Sequence, residues 1–358
     1  TITCQATNGA ETVTSRIIEI KVAGDELLEP IINDITLERE DPVNKGTSLN
    51  VQASLNTGNV DITWSVTGGA LENATSFSPI WTLPAQEGVY SITLTVSNVL
   101  GTASSTKEIL VKDLSDNSSG YTPVVYYPFN GDTKNAAQSA YDAVLVGATP
   151  SQDARGVENS AYKFSASSQY TYTPNDAALN FGDRLAVSLW VKPDALSTSE
   201  QFLISHGSWE ERYKMSVTPE KKVRWTVKTT SSIADVDDPQ DLEVGEFRHY
   251  TGVFTGYSLE LYRNGVLVSF KSLAGTVPSS TKSITVARKD QSTSDYTFKG
   301  TIDEVRIYNS ALNVSFINQL PTLWEVNLSI EDTDIVNKVS IYPNPFSTSF
   351  NLNFPENE

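Results

Sequence analysis

The stretch from Val124 to Leu312 consists of short runs in which apolar and polar residues alternate, separated by Gly, Pro, Ser and Asp. A period of two is typical of strands that bury one face, and the breaks between the runs are turn sequences. Asn264-Gly265 lies between two such runs and predicts a two-residue hairpin, because both central residues of that turn need positive φ. Only Leu312–Leu320 suggests a helix. The stretch therefore predicts one large antiparallel β-sandwich of the jelly-roll kind.

The predicted strands of this sandwich follow one another at the spacing expected of an all-β domain. They are Val124–Phe129, Ala143–Val146, Ala161–Phe164, Tyr170–Tyr172, Leu185–Val191, Phe202–Ser205, Tyr213–Val217, Lys222–Thr229, Arg248–Thr255, Ser258–Arg263, Val266–Lys271, Ser283–Ala287 and Gly300–Tyr308.

Charge and cysteine content narrow the class of protein. The chain has 358 residues and a formal net charge of −17, and no dense basic run occurs in it. Nucleic acid and anionic membrane surfaces are therefore not expected partners. No apolar run approaches the length that a membrane-spanning helix needs. With Cys4 as its single cysteine, the chain can form no internal disulfide.

The N-terminal third contains an internal repeat. Ile2–Asn8 resembles Ile92–Asn98, and the two segments are about 90 residues apart, which is the size of an immunoglobulin-type sandwich. Residues 1–24 are interpreted as the last two strands of one repeat, and residues 30–112 as a complete second one. Cys4 aligns with Leu94, an inward position, which predicts a small buried hydrophobe.

The complete repeat has further features of such a sandwich. Trp64 lies in an alternating run that places it inward, and Tyr90 stands just before a strand, as in a tyrosine corner. The segment resembles bacterial immunoglobulin-like domains of the polycystic-kidney-disease (PKD) type. It lacks the Gly-Asp turn usual after the tryptophan in that type. Small polar residues at 113–123 predict a linker, and a second linker is predicted at 321–337.

Four motifs give residues 124–320 a family resemblance. They are Tyr127–Asp132 (YPFNGD), Leu185–Pro193 (LAVSLWVKP), Phe247–Phe254 with Leu261–Gly265 (FRHYTGVF and LYRNG), and Gly300–Tyr308 (GTIDEVRIY). In this order they resemble the concanavalin A-like, laminin G-like jelly rolls of bacterial surface proteins. The resemblance implies the fold. Members of this family bind glycans, bind proteins or act as spacers beside catalytic domains.

The C-terminal segment carries a motif of its own. Tyr342-Pro343-Asn344-Pro345 is followed by the alternating run Ser349–Phe354. The prolines fix φ twice, which favours a tight turn before a strand. Residues 338–358 resemble the start of the C-terminal sorting domain of type IX secretion cargo in Bacteroidota. A hairpin of a third sandwich is the alternative. The chain begins within strand-like sequence and is interpreted as the C-terminal part of a longer protein.

Catalytic motifs are weak. A glycoside hydrolase needs two carboxyl groups that converge on one face. Asp303 and Glu304 are adjacent, and adjacent strand residues point to opposite faces. Glu210-Glu211 is expected in a turn and Asp235–Asp238 in a loop. Neither histidine, His206 or His249, has metal-ligand spacing, and no Gly-x-Ser-x-Gly motif occurs. The chain is therefore predicted not to be an enzyme, and any catalytic domain would lie upstream.

Calcium is the cofactor that the family resemblance suggests. In such domains a structural Ca²⁺ often links the loop after the first strand to the last strand. The resemblance implies Asn130, Gly131, Asp132 and Asp303 as ligands, and oxygen ligands of these kinds suit Ca²⁺. The alternative is that Asn130 and Asp132 form an Asx-turn and that Asp303 pairs with Arg306 or with backbone amides.

Glycan binding would use exposed aromatic rings and neighbouring polar groups. The predicted ligand-binding residues are Trp209, Arg212, Tyr213, Trp225 and Tyr257, which lie in or beside central strands and loops. For each aromatic residue, burial is the competing interpretation. The face on which Trp190 lies cannot be assigned, although its equivalent in the family is a core residue.

The leading functional hypothesis is a non-catalytic role in adhesion, carbohydrate binding or gliding motility at the surface of a Bacteroidota cell. The protein would be secreted by the type IX route to the outer-membrane cell surface. Its partners would be a glycan or surface polymer and, through the tail, the outer-membrane secretion machinery. Two alternatives are the accessory end of a secreted polysaccharide-degrading enzyme, and passive cargo whose tail alone is recognised.

Overall fold

A computed structural model describes residues 5–8, 11–14, 27–117, 120–324, 340–342 and 351–353. The chain divides into two compact units, Thr1–Pro321 and Thr322–Glu358. No helix among the described residues is long and apolar enough to cross a membrane.

The first described element is a hairpin of strands β1 (Gln5–Asn8) and β2 (Glu11–Thr14), which pair antiparallel. The sequence predicts here the end of an immunoglobulin-like repeat. Cys4 lies outside the described residues.

An immunoglobulin-like sandwich follows. Its strands are β3 (Ile32–Leu37), β4 (Val43–Asn44), β5 (Ser48–Leu55), β6 (Asp61–Val66), β7 (Ala70–Glu72), β8 (Ile80–Thr82), β9 (Gly88–Asn98) and β10 (Gly101–Lys112). One sheet has the order β4-β10-β9-β6 and the other β3-β5-β8-β7. Trp64 is 3% exposed between the sheets, as its alternating run predicts. The Tyr90 hydroxyl donates to the carbonyl of Gln86 at 3.2 Å, which is the backbone bond of a tyrosine corner.

The large domain contains fifteen strands in two sheets. Its strands are β11 (Val125–Tyr127), β12 (Val144–Val146), β13 (Thr149–Ser151), β14 (Ala161–Phe164), β15 (Tyr170–Thr173), β16 (Leu185–Ala195), β17 (Gln201–His206), β18 (Tyr213–Val217), β19 (Lys222–Lys228), β20 (Ile233–Asp241), β21 (Arg248–Phe254), β22 (Ser258–Arg263), β23 (Val266–Ser272), β24 (Ile284–Val286) and β25 (Lys299–Tyr308).

The helices of the large domain are short. They are α1 (Ser208–Glu211), α2 (Val314–Gln319) and the 3-10 turns Ala177–Leu179 and Leu320–Thr322.

The two sheets of the large domain enclose one hydrophobic core. The eight-stranded sheet runs β13-β14-β25-β16-β21-β22-β23, and β11 also pairs with β25. The seven-stranded sheet runs β12-β15-β24-β17-β18-β19-β20. Helix α2 begins after Asn313, whose side chain accepts from the amide of Phe316 at 2.8 Å. Phe316 and Ile317 cover the outer face of the eight-stranded sheet, against Tyr262 and Tyr308.

The observed strands confirm the jelly-roll sandwich that the alternation predicts, and most bounds agree within a few residues. Two strands are missed, β13 and β20. Asp235–Asp238 was predicted as loop and lies within β20, while Glu210 and Glu211 lie in α1 rather than in a turn. The sequence of β20 does not predict a strand because it is rich in Asp, which is depleted in strands. This strand pairs only with β19 and forms an edge of its sheet, where charged residues oppose unwanted pairing.

The two sandwiches meet at a polar joint. Lys112, the last residue of β10, lies 3.2 Å from Glu260 of β22, and the side chains are 5% and 0% exposed. Beside them, the Tyr257 hydroxyl donates to Glu87 at 3.1 Å. Within the predicted linker, the carbonyl of Asp116 accepts from the Asn313 side chain at 3.0 Å. The amide of Leu114 in the same segment donates to the side chain of Asn44 at 3.0 Å, so the linker is attached to both sandwiches.

In the second unit, β26 (Ser340–Tyr342) and β27 (Asn351–Asn353) pair antiparallel. Tyr342 is the last residue of β26. Pro343, Asn344 and Pro345 of the predicted sorting motif lie outside the described residues.

Candidate functional site

The outer face of the seven-stranded sheet carries polar side chains where β18, β19 and β20 run side by side. In β18, Tyr213, Met215 and Val217 point into the core, so Lys214 and Ser216 point away from it. Lys214 is nevertheless only 3% exposed, because other side chains pack over it.

Trp209 is the largest of these covering side chains. It lies in α1, which begins directly after Gly207, a residue with φ +67°. A Cβ atom at Gly207 would stand 2.7 Å from Cβ of Glu211, so this sharp turn from strand to helix requires glycine. The indole ring packs edge-on against Phe202 and Tyr296, with ring centroids 5.8 and 5.9 Å away. Trp209 therefore has a fixed orientation and remains half-buried.

A pocket of about 240 Å³ opens beside the indole ring. We call it the Trp209 pocket, and it is lined by Glu200, Trp209, Lys214, Arg224, Ile233 and Asp235.

Ion pairs fix the charged groups of the Trp209 pocket. Lys214 donates to Glu200 and, at 2.9 Å, to Ser216. Arg224 makes two bonds to Asp237, at 2.7 and 2.8 Å, and lies 3.7 Å from Asp235. Burial lowers the pKa of Lys214, whereas the bonds to Asp237 raise the pKa of Arg224 further above its ordinary value. The pocket thus combines one aromatic wall with oriented donors and acceptors of both charges.

The structure separates the five predicted ligand-binding residues. Trp209 lines the pocket. Arg212 and Trp225 are 0% exposed, and so is Tyr213, whose ring packs against that of Trp225 at 5.6 Å in the core. Arg212 donates to the carbonyls of Phe181, at 2.8 Å, and Pro278. Tyr257 lies at the joint between the sandwiches. Three of the five are therefore interior residues. Tyr257 lies away from the pocket, in the loop between β21 and β22 of the other sheet.

The residues that complete the pocket were not predicted, for two reasons. Lys214 and Arg224 occupy strands whose alternation is clear, but a charged residue on the solvent face of a strand is common and gives no functional signal by itself. Asp235 was missed because its strand was interpreted as a loop. Glu200 precedes β17 and reaches the pocket only through the tertiary fold.

Asp303 and Glu304 lie on the same face of the sheet, contrary to the prediction that adjacency separates them. The register between β16 and β25 shifts at this point, and Glu304 has φ +53°, so β25 contains a bulge. Ile302 and Val305 on either side point into the core. The two acids are each 1% exposed, and Glu304 accepts from Tyr126 at 2.8 Å and from Arg306. They share a face, but they are buried and line no open cleft.

The predicted calcium ligands have unlike surroundings. Asp303 is buried with its Oδ2 atom lacking any protein partner, and burial together with Glu304 and Asp153 raises its pKa to about 9. Asp132 is exposed, accepts from the amide of Lys134 at 3.0 Å, and follows Gly131 with φ +87°. That bond is the Asx-turn of the alternative interpretation.

No group of three or more His, Cys, Asp or Glu side chains within the described ranges could hold a metal ion. The orphaned oxygen of Asp303 fits a cation ligand, whereas an ion there would have to draw its other oxygens from backbone carbonyls, water or Asn130. The Oδ1 atom of Asp303 accepts from the backbone amide of Glu304 at 2.8 Å, which is one of the pairings in the alternative interpretation, and Arg306 pairs with Glu304.

Two family models match this chain. Residues 165–318 match the model of the concanavalin A-like lectin/glucanases superfamily, and residues 34–111 match that of the PKD domain. The chain therefore contains a PKD domain followed by a laminin G-like, concanavalin A-like domain. The strands before residue 165, β11 to β14, complete the sheets of the second domain. The comparison with curated proteins gives no match.

Several solved structures are similar at low sequence identity. Domain 4 of AbnA, a GH43 extracellular arabinanase from Geobacillus stearothermophilus in complex with arabinotriose, is 20% identical with a TM-score of 0.47, over 56% of this chain and 99% of that one. The binding domain of Paraclostridial Mosquitocidal Protein 1 is 16% identical with a TM-score of 0.44, over 52% and 48%. The botulinum neurotoxin type G receptor-binding domain is 15% identical with a TM-score of 0.43, over 55% and 50%.

Proposed function

We propose that this chain is a non-catalytic glycan-binding module and that the Trp209 pocket is its binding site. The observation that carries the proposal is an oriented, half-buried indole that forms one wall of a pocket whose other walls are ion-paired side chains and Ile233. The match to a superfamily that includes lectins supports it. Sugars present an apolar C–H face and a rim of hydroxyl groups, and this pocket offers a partner for each.

The charged side chains that line the pocket indicate which class of sugar it would bind. Two cations, Lys214 and Arg224, and two carboxylates, Glu200 and Asp235, line the pocket. Ion-paired side chains can both donate hydrogen bonds to sugar hydroxyl groups and accept hydrogen bonds from them. Because their charges balance, they do not favour a charged ligand. We therefore expect a neutral glycan to bind better than a uronic acid polymer or a sulfated one, particularly because the whole chain carries −17.

A glycan array tests the proposal. Residues 27–324 are applied to neutral and acidic polysaccharides, with Trp209→Leu as the test variant and Trp190→Leu as the matched control. Trp190 is also half-buried, but it lies on the outer face of the other sheet, against His249. Wild type and Trp190→Leu should bind the same neutral glycan, and Trp209→Leu should lose it. Absence of binding to every glycan, or equal loss in both variants, contradicts the proposed site.

We further propose that any catalysis associated with this protein occurs elsewhere in it. Both carboxylates of the pocket have cationic partners, and Asp303 and Glu304 are buried. A retaining or inverting hydrolase needs two accessible carboxyl groups across the scissile bond. Incubation of the glycan that binds with the protein should release no reducing sugar. Release that disappears in Glu200→Gln would establish an enzyme instead.

For Asp303 we propose a Ca²⁺ ligand, with Asn130, Gly131 and Asp132 as the predicted companions. The buried Oδ2 atom without a protein partner supports a cation there. Calcium would place a positive charge beside Asp303, whose pKa the neighbouring Glu304 and Asp153 raise, and would stabilise the last strand.

Export by type IX secretion to the cell surface of a member of the Bacteroidota is proposed from the tail sequence. The Tyr342–Pro345 motif supports it. Removal of residues 336–358 should abolish export and co-purification with an outer-membrane barrel, while glycan binding is retained. Unchanged export would contradict this role. If the truncated protein is not exported and the wild-type protein binds no glycan, the results favour the hypothesis of passive cargo. A catalytic domain found upstream would favour the hypothesis that this chain is the accessory end of an enzyme.

A further inference from the structure

A second group of aromatic side chains lies on the same face of the seven-stranded sheet as the Trp209 pocket. Residues that stand directly opposite each other on neighbouring strands share a face. Following these pairs from strand to strand gives one continuous row across the sheet. The row consists of Val144, Tyr172, Thr285, Ser205, Lys214, Thr226 and Asp235.

The aromatic group at the far end of the row contains Tyr170 and Tyr172. Both are half-buried, and they alternate in β15 with Thr171 and Thr173, which are 0% and 1% exposed. The two rings lie 6.0 Å apart with an angle of 34° between their planes. The guanidinium of Arg288 lies 4.7 Å from the centroid of Tyr170. We call Tyr170, Tyr172 and Arg288 the tyrosine platform.

One loop connects the tyrosine platform to Trp209. Lys289 follows Arg288 in the chain, and its ammonium group lies 4.6 Å from the centroid of Trp209. The Thr285 hydroxyl is within 2.9 Å of the carbonyls of both Arg288 and Lys289, so it fixes the start of this loop. Two aromatic groups are thus positioned by consecutive cationic residues on an anchored segment.

The spacing suits a chain of sugars. Tyr172 is in β15, and Lys214, over which Trp209 packs, is in β18, three strand intervals away. Neighbouring strands are about 4.8 Å apart, so the tyrosine platform and the Trp209 pocket are separated by about 14 Å, which is about the length of three sugar rings. Exposed apolar side chains flank the outer end of the row, since Val144 is 42% exposed beside Tyr172.

We propose that the tyrosine platform is a second subsite, which binds another part of the same glycan chain that occupies the Trp209 pocket. This inference rests on the proposed function and specifies its ligand as a linear oligo- or polysaccharide rather than a mono- or disaccharide. Stacking on Tyr170 and Tyr172 supplies the apolar contact. Arg288 donates hydrogen bonds to hydroxyl or ring oxygens at the same position.

Calorimetric titration with a ladder of oligosaccharides tests this subsite. The ladder, from two to six sugars, is prepared from the polysaccharide that wild type binds best on the array. The affinity should rise with the number of sugars and level off once the oligosaccharide reaches from the Trp209 pocket to the tyrosine platform. The double variant Tyr170→Ala/Tyr172→Ala should lose about tenfold in affinity for the long oligosaccharides and little for the disaccharide. Trp209→Leu should weaken binding of every length.

The conservative double variant Tyr170→Phe/Tyr172→Phe distinguishes stacking from a structural effect, because it keeps both rings. It should bind the long oligosaccharides nearly as well as wild type. The subsite is refuted if the disaccharide binds as tightly as the hexasaccharide, or if the Ala and Phe variants behave alike. Either result would leave the Trp209 pocket intact as a binding site. The proposed function fails on different results from the array, namely no glycan binding by wild type or equal loss in Trp209→Leu and Trp190→Leu.

Discussion

The ion pair between the two sandwiches gives a quantitative prediction. Lys112→Met removes the cation from Glu260, whose side chain is fully buried. Removing one partner from a buried ion pair usually costs about 3–5 kcal/mol, because the remaining charge has lost its counterion. Glu260 also accepts from the hydroxyls of Ser258 and Tyr262, both at 2.6 Å. These two bonds remain, so we expect a loss of about 3 kcal/mol, at the lower end of that range.

A double-mutant cycle isolates this interaction from the general effect of each substitution. In Lys112→Met/Glu260→Gln neither charge remains. Ser258 and Tyr262 donate to different carboxylate oxygens of Glu260, so the glutamine oxygen can accept from one hydroxyl while its NH₂ group donates to the other. The double variant should therefore be more stable than Lys112→Met alone by about 2 kcal/mol. Urea unfolding followed by tryptophan fluorescence gives the free energies. Small-angle X-ray scattering reports whether Lys112→Met lets the two sandwiches separate, since water reaching Glu260 would relieve part of the cost.

Lys45→Met is the matched control, because the pair of Lys45 and Asp113 stands near the same joint but is 39% and 25% exposed. An exposed ion pair contributes little to stability because solvent screens both charges, so this variant should resemble wild type. A loss below about 0.5 kcal/mol in Lys112→Met, or a double variant less stable than either single one, would show that the charges are hydrated and that the joint is open in solution.

Three further predictions concern the metal, His249 and the core. Ca²⁺ should raise the melting temperature of EDTA-treated wild type but not of Asp303→Asn; an equal shift in both would place the ion elsewhere. Burial lowers the pKa of His249 to about 3 from 6.5, so the unfolded chain binds the additional proton between these values and stability falls as the pH drops from 6.5 towards 3. His249→Leu should reduce this fall in urea unfolding by about 1.4 kcal/mol per pH unit, and an unchanged slope would contradict a buried neutral ring. Trp225→Ala should destabilise the large domain by about 3–5 kcal/mol in the same assay, because the ring is 0% exposed. A stable variant with impaired glycan binding would instead support Trp225 as the ligand-binding residue that the sequence predicts.

Alternation and turn chemistry predicted most of the large domain because they act locally. Asn264 has φ +50° and Gly265 φ +84°, as the Asn-Gly sequence requires between β22 and β23. Helix α2 lies within the one segment that suggested a helix. Local signals failed where a tertiary constraint replaced them, at the acidic edge strand β20 and at the bulge of β25. In that bulge one extra residue carries Asp303 and Glu304 to the same face.

Trp209 shows how far residue types alone can indicate a binding site. Trp209 was a candidate because it is an aromatic residue beside the end of a strand, but Tyr213 and Trp225 were candidates as well. The local sequence does not distinguish a ring in the core from a ring on the outer face of the sheet. The separation comes from the register of β17 and β18 and from the turn at Gly207, which together direct the indole over Lys214. The tyrosine platform depends likewise on the pairing of β15 with β24.

The two β-sandwiches can be predicted from the order of residues, because the period of apolar residues and the turn residues between them are properties of neighbours in the chain. Which polar and aromatic side chains meet depends on the folded domain. Glu200, Lys214, Arg224 and Asp235 come from different segments, and Lys112 and Glu260 from different domains. Their proximity follows from strand order and register, and these are set by how the apolar faces pack together over the whole fold.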